Sequence, residues 1–477
     1  MLRTDTYQLF TNAEVKPRDT MKVRWNRLPG DDILRGAFMN CDLLFLILAL
    51  VAVLSFCTVA EADTVRSPEE LPKRDGMPPL MTLENGMPVR TAEDWALRRA
   101  EMLDLYSVWM YGKMPDPSAE TVTWEIAPHE KLPGQKLTIH IACGKKETSF
   151  SVVVNLPEEP APEGGRPCYL EYGFSWGGGA FISDNCKYAA SRGYAGITYI
   201  PTDVASDNER HTGAFYRLYP FDGEAGDFPG VLAAWAWGAS KVIDALENGA
   251  GEALGIDPRG CIVAGVSRYG KSAAVAGAYD SRIRVTVPSC SGAGGVAVYR
   301  TDNHGKTYDL SSLGGSESWV NDSINEPLSN LQGGEGYWFC ENFRKIPDAE
   351  SIPVEQYMLC ALAAAPDRHL IVVTGITSEG WNNTEGQCLA WLGSQPVWDL
   401  LGCGEQNNMI IHPDGHAILN SDMKMILDYC DVHLRGTDPA EAETDFSLMK
   451  GNLFLQYNRD RLDPAFDLPG FECPLFK

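Results

Sequence analysis

Apolar residues along this chain recur with two alternating periods. Residues 95–111 carry them at helical spacing, with Trp95, Leu97, Met102, Leu105, Val108 and Trp109 as the repeating positions. Two β-like runs follow at 136–143 and 149–156, each bounded by turn formers, and two more at 168–172 and 193–200. Residues 228–246 are apolar nearly all round, which predicts a helix buried against a sheet. A strand at 260–264, a tight turn, a helix at 271–279 and a strand at 284–288 make a βαβ unit. A buried strand at 369–374, a helix at 385–401, a strand at 408–411 and a helix at 421–433 continue the alternation. This pattern predicts an α/β fold, a mostly parallel sheet wrapped by helices. The stretch 301–348, rich in Gly, Ser, Asn and Trp, breaks the rhythm. It reads as an insertion over one end of the sheet, where loops carry specificity.

The amino-terminal region follows a different rule. Eighteen residues from Leu43 to Ala60 carry no charge, with Lys22, Arg24, Arg27 and Arg35 upstream and Ala60-Glu61-Ala62 downstream. A basic flank, an apolar stretch and a small-x-small cut predict a secretory signal. Eighteen apolar residues also approach the minimum for spanning a bilayer, so a membrane anchor at 43–60 is the alternative. The expected organisation is a leader over 1–62, a linker over 63–90 and one catalytic domain over 91–477, secreted or periplasmic.

Composition removes several function classes. The chain has 64 acidic and 40 basic side chains, a formal charge of −24, whereas a nucleic-acid binder needs a basic face. Its 13 cysteines show no C-x-x-C pairs, so neither a dense disulfide framework nor a zinc site is expected, although one or two bridges are compatible with export. No G-x-G-x-x-G follows a strand, and there is no Walker loop or H-E-x-x-H, so no cofactor or metal is expected. No protein partner is implied.

The chemistry concentrates at one turn. Gly265-Val266-Ser267 stands directly after a strand and before a helix, where an α/β-hydrolase presents its nucleophile on a sharp elbow. A hydroxyl there meets a helix amino terminus and backbone N–H groups able to hold an oxyanion. The spacing departs from G-x-S-x-G, because Gly270 comes one residue late, and an ordinary βα turn with a serine cap has the same look. A serine nucleophile needs a base, and histidine titrates near neutrality. Of eight histidines, His416 alone follows the serine–acid–histidine order on a Gly-flanked loop after a strand. His412, at that strand's end, reads as a structural contact.

Gly265-Val266-Ser267-Arg268-Tyr269-Gly270-Lys271 resembles the G-C-S-R-x-G-K signature of the glucuronoyl esterases, carbohydrate esterases acting on plant cell walls. Further stretches are similar: Trp95 with Arg98-Arg99 leading to Tyr111-Gly112-Lys113-Met114-Pro115, Gly213-Ala214-Phe215-Tyr216 with Leu218-Tyr219-Pro220, Ala234-Trp235-Ala236-Trp237-Gly238, Ser291-Gly292-Ala293-Gly294-Gly295, Tyr337-Trp338-Phe339 and Gly415-His416-Ala417. The likeness spans roughly 91–434. It implies a three-layer α/β/α sandwich of the α/β-hydrolase type. It implies cleavage of the ester between (4-O-methyl-)glucuronic acid of glucuronoxylan and lignin alcohols. It further implies Ser267 as nucleophile, His416 as base and Arg268 at the oxyanion. Lys271, Glu335 and Trp381 match the family's sugar-binding positions. Gly177-Gly178-Gly179 is either a second source of oxyanion donors or a plain loop.

There is one departure. Many family members place the triad acid just before the S-G-x-G-G stretch, and here Cys290 stands there. Losing an orienting carboxylate costs roughly 10⁴ in turnover. Glu379, in the loop after the strand at 369–374, is therefore the expected acid, with Glu385 as fallback and the Cys290 thiol dispensable. Val266 replaces the family cysteine that forms a bridge in some members, so that bridge is absent. The alternatives are an esterase for acetyl or other groups on carbohydrate, and a catalytically impaired carbohydrate-binding relative.

Overall fold

The computed structural model describes residues 67–175, 177–377 and 380–451, together with 454, 455, 457, 458, 460 and 461. The leader expected at 1–62 lies outside the described residues. Strands follow one another as β1 (Glu120–Pro128), β2 (Gln135–Cys143), β3 (Lys146–Asn155), β4 (Arg166–Tyr172), β5 (Ala195–Tyr199), β6 (Ile256–Val266) and β7 (Val285–Ser289). A two-residue pair, β8 (Thr307–Tyr308) and β9 (Trp319–Val320), precedes β10 (His369–Gly375) and β11 (Asn407–His412). Nine of them form one sheet in the order β1-β2-β3-β5-β4-β6-β7-β10-β11. The first three strands are antiparallel, and from β5 to β11 the pairing is parallel.

Burial on both faces explains the composition of the parallel strands, since β4, β5, β7 and β10 are buried at every residue. Successive side chains point to opposite faces, and the core divides accordingly. Tyr169, Ile262, Ile371 and Val373 enter one cluster, while Leu170, Val263, Leu370 and Val372 enter the other. The larger cluster is covered by α1 (Ala92–Trp109), by α3 (Val231–Ala245) and α4 (Arg268–Tyr279), and by α5 (Gln356–Leu362) and α6 (Thr384–Leu400). The smaller is covered by α2 (Asp184–Ser191) and α7 (Asn420–Arg435). The three-layer α/β/α sandwich of the α/β-hydrolase type is therefore present.

Local signals set the helix limits. A reciprocal capping box opens α1: Asp94 N–H donates to Thr91 Oγ1 at 3.2 Å, and Thr91 N–H to the Asp94 carboxylate at 3.1 Å. Besides the short β8–β9 pair inside the insertion, two elements lie outside the sequence expectation. The β1 strand alternates only between half-buried and exposed positions, so its apolar signal is weak, and α5 is a short, fully buried segment without periodicity. The stretch 67–90, expected as a linker, is packed: Met77, Leu80, Leu83 and Val89 sit in the larger core.

The cysteines among the described residues are all free thiols. Among those residues no helix is long and apolar enough to cross a membrane. The insertion after β7 folds back on the carboxyl ends of the parallel strands, its Glu326 N–H donating to Trp381 O at 2.9 Å. Sites in such sheets form at that edge.

Candidate active site

Ser267 follows β6 and precedes α4 with φ +62° and ψ −131°, a conformation that L residues rarely adopt. Two hydrogen bonds fasten it: its N–H donates to Ser289 O at 2.9 Å, and Lys271 N–H donates to its carbonyl at 3.0 Å. The late glycine of the motif has a local reason. A Cβ on Gly270 would stand 2.5 Å from Ser289 O, so only glycine lets the first turn of α4 rest on β7. The Arg268 N–H opens the helix, where amides have no intrahelical acceptor and point toward developing negative charge.

The Arg268 guanidinium is clamped beside this turn. It pairs with Asp207 at 2.5 Å and lies 5.4 Å from the Trp338 ring centre and 5.9 Å from that of Phe174. The other Asp207 oxygen accepts from Trp338 Nε1 at 2.9 Å and from the Tyr337 hydroxyl at 3.2 Å.

Lys271, one turn into α4, is buried. Its ammonium donates to Ser291 O at 2.8 Å, Ala293 O at 2.6 Å and Glu326 Oε2 at 2.7 Å. Three protons meet three acceptors. Gly292, at φ +58°, makes room: a Cβ there would stand 2.6 Å from Glu326 Oε2 and 3.4 Å from Lys271 Nζ. Glu335 is half-buried nearby and accepts from Asn330 Nδ2 at 3.1 Å. Burial and the neighbouring Glu326 raise its carboxyl pKa, against the pull of Lys271 and Arg268. Four of the expected residues thus share one neighbourhood, and Asp207 and Glu326, which no motif announced, complete it.

The histidine arrives from the other side. His416 is exposed on the loop between β11 and α7. Ser289 Oγ donates to Ala417 O at 3.3 Å, and Cys290 Sγ lies 3.9 Å from Gly415 O. Since Ser289 also holds Ser267, the elbow and the histidine loop are tied to one strand end. The Trp381 ring, half-buried, lies 5.4 Å from the His416 ring.

Glu379 lies outside the described residues. Its fallback does not fit: Glu385 is buried, paired with Lys306 at 2.6 Å and bonded to the Tyr308 hydroxyl. It serves the insertion. Gly178 and Gly179 also turn inward, their N–H groups donating to Ser175 O at 3.3 Å and Ser175 Oγ at 2.8 Å. Their loop lines a cavity of about 200 Å³ with Thr202, Asp203 and Lys136, which supports the plain-loop reading.

A serine on a strand–helix elbow, in a mostly parallel sheet covered on both faces, with a histidine loop after the last strand, is the arrangement of an α/β-hydrolase. Comparison narrows the class. The family model "Glucuronyl esterase, fungi" matches residues 139–402. A multidomain esterase of Ruminococcus flavefaciens is 40% identical over 402 residues, covering 80% of this chain and 50% of that protein. A 4-O-methyl-glucuronoyl methylesterase of Schizophyllum commune is 30% identical over 372 residues, covering 77% and 85%. A solved carbohydrate esterase family 15 glucuronoyl esterase from Caldicellulosiruptor kristjansonii superposes with a TM-score of 0.68 at 38% identity, covering 79% of this chain and 94% of that one. The chain belongs to the glucuronoyl esterase family and is a carboxylic ester hydrolase. It spans half the length of the multidomain relative.

Proposed function

We propose that this chain cleaves the ester between (4-O-methyl-)glucuronic acid on glucuronoxylan and lignin alcohols, through an acyl-enzyme on Ser267. The observation that carries the reading is the attachment of both the serine elbow and the histidine loop to Ser289, beside a buried Lys271–Glu326 pair. An acetyl group has no use for such a pair, whereas a pyranose uronate offers hydroxyls to it. Lys271 reaches a sugar by exchanging one of its three acceptors. Glu335 accepts a hydrogen bond from a sugar hydroxyl, and Trp381 offers its ring to the sugar face.

Ser267 Oγ attacks the uronoyl carbonyl carbon while His416 accepts its proton. The carbonyl oxygen becomes an oxyanion at the Arg268 N–H and guanidinium. His416 then returns the proton to the departing alcohol, and water, activated by the same imidazole, releases glucuronate. Glu379 orients His416. The signal at 43–60 makes this an exported enzyme, with an anchor as the other outcome.

Benzyl glucuronate tests the substrate. Hydrolysis by the chain, none by Ser267→Ala, and little action on p-nitrophenyl acetate are expected. Preference for the acetate would favour a carbohydrate esterase of another acyl class. Binding of glucuronoxylan oligomers without turnover would make the chain an impaired relative.

A further inference from the structure

The loop that carries His416 is closed by one carboxylate. It runs from His412, the last residue of β11, to Leu419, which precedes α7. Asp422 Oδ2 reaches both ends: it lies 2.8 Å from His412 Nδ1 and accepts from Leu419 N–H at 2.8 Å. Inside the loop, His412 Nε2 lies 2.9 Å from Gly415 O, the carbonyl of the peptide that leads into His416. Gly415 turns there at φ +114°, and a Cβ on Gly375 would stand 2.6 Å from Gly415 O and 2.9 Å from His412 Nε2. The end of β10 thus leaves room for this contact. Both members of the pair are buried, His412 being 4% and Asp422 1% exposed.

Each ring nitrogen of His412 therefore faces an oxygen, and neither oxygen has a proton to give. One is a backbone carbonyl, and the other belongs to a carboxylate that already takes an amide. A neutral imidazole carries one N–H, so one lone pair would be pressed against an oxygen at 2.8 or 2.9 Å. The imidazolium presents an N–H on both sides. The Nδ1 contact lies outside good hydrogen-bond alignment, so charge attraction dominates there. Among the described residues, the groups facing His412 are Asp422 from α7, the neutral end of β10, and the Cys290 thiol after β7, which donates to the same Gly415 O at 3.9 Å. Asp422 is the charge in this set. Burial pulls the imidazolium down, but the partners, Asp422 foremost, raise its pKa to about 10.

We propose that His412, kept as an imidazolium by Asp422, is a positioning residue for His416. It ties the Gly415–His416 peptide to the end of β11, while the same carboxylate ties the far end of the loop to α7. With both ends fixed, the His416 imidazole is held in one place from which to take the serine proton. A neutral His412 would make one of its two contacts repulsive and release the peptide before His416. His412 acts through this peptide and not on the substrate, so it is a positioning residue and not a catalytic one. The structural contact that its place at the strand end suggests is thus a charged one. The inference rests on His416 being the base.

Nitrogen NMR of the full chain with isotope-labelled histidine, at about pH 8, tests the charge without reference to esterase activity; ordinary imidazoles, titrating near 6.5, are neutral there. One of the eight should keep both nitrogens protonated, should be absent from His412→Gln, and should become neutral in Asp422→Asn. Asparagine can still accept from Leu419 N–H, so this variant removes the charge and leaves the helix cap in place. On benzyl glucuronate, Asp422→Asn is expected to lower kcat by about 10- to 100-fold with KM unchanged, the cost of a base displaced by up to about 1 Å. Asp422→Glu, which keeps the charge, should keep the protonated imidazole and recover part of the rate. A wild-type chain whose His412 is neutral at about pH 8 overturns the proposal, whether or not any variant folds. So does a folded Asp422→Asn enzyme with normal kcat. If the glucuronate reading is what fails, the same loss of kcat read on p-nitrophenyl acetate still supports the positioning role. A His416→Ala variant with normal turnover overturns that role together with the base assignment.

Discussion

Ser267 and Ser289 are joined by a 2.9 Å backbone hydrogen bond, and through it the Ser267 turn is pinned to the strand end that also holds the histidine loop. The bond uses the serine's own amide. On the proposed mechanism the oxyanion then takes its donors from Arg268, in the next peptide and along its side chain.

The left-handed backbone at Ser267 stores strain that glycine would not. Ser267→Gly should be more stable than Ser267→Ala by about 1 kcal/mol, and both should lack esterase activity. Urea midpoints of the two variants, measured side by side, check this. Equal stability would mean that the elbow is not strained.

Removing the Arg268 guanidinium should lower kcat by on the order of 10²-fold. Asp207→Asn should have a smaller effect in the same direction, because the guanidinium keeps its place over Trp338 and Phe174 but loses its anchor. The paired kcat and KM values are the readout, and a change confined to KM would make Arg268 a binding residue only.

Glu379→Gln should reduce turnover on benzyl glucuronate by up to about 10⁴-fold, since a misoriented histidine presents the wrong tautomer. Near-normal activity in this variant would return the acid role to another group.

Lys271 and Glu326 are 2% and 7% exposed, so deleting one partner leaves a buried charge. Glu326→Ala should cost about 3–5 kcal/mol of folding stability. Glu326→Gln should cost less, yet should raise KM for the glucuronate ester. Thermal melts and steady-state kinetics separate the two effects.

Acid stability depends on His369. Burial, helped by His433 and Arg284, pushes its imidazole down to about 3, and its Nδ1 rests 2.9 Å from the Tyr429 hydroxyl. The folded state keeps it neutral while the unfolded chain takes up a proton below about 6.5. Stability is therefore intact above that pH and is lost as the pH falls toward 3, by at most about 5 kcal/mol. His369→Phe should flatten the fall between these values in urea titrations. An unchanged slope would place the acid sensitivity elsewhere.

Much of the fold was legible in the chain because buried parallel strands must be continuously apolar. The runs at 168–172, 369–374 and 408–411 correspond to β4, β10 and β11 within two residues at either end. By contrast, β1 is half-exposed, and its single periodic face was too weak to read. The packed segment at 67–90 looked like a linker because its few apolar residues are spread among prolines and charges.

For the site, the linear motif carried Ser267, Arg268 and Lys271, since one turn of backbone must hold them together. Asp207, Glu326 and the His412–Asp422 pair carry no motif. They come from separate loops and helices, and their meaning lies in which charge each one faces. Local hydrogen bonding and periodicity are written in neighbouring residues, so the sequence alone determined the elbow and the layers. Pairing between distant charges depends on distance in space and on exclusion of water, and only the tertiary structure decided it.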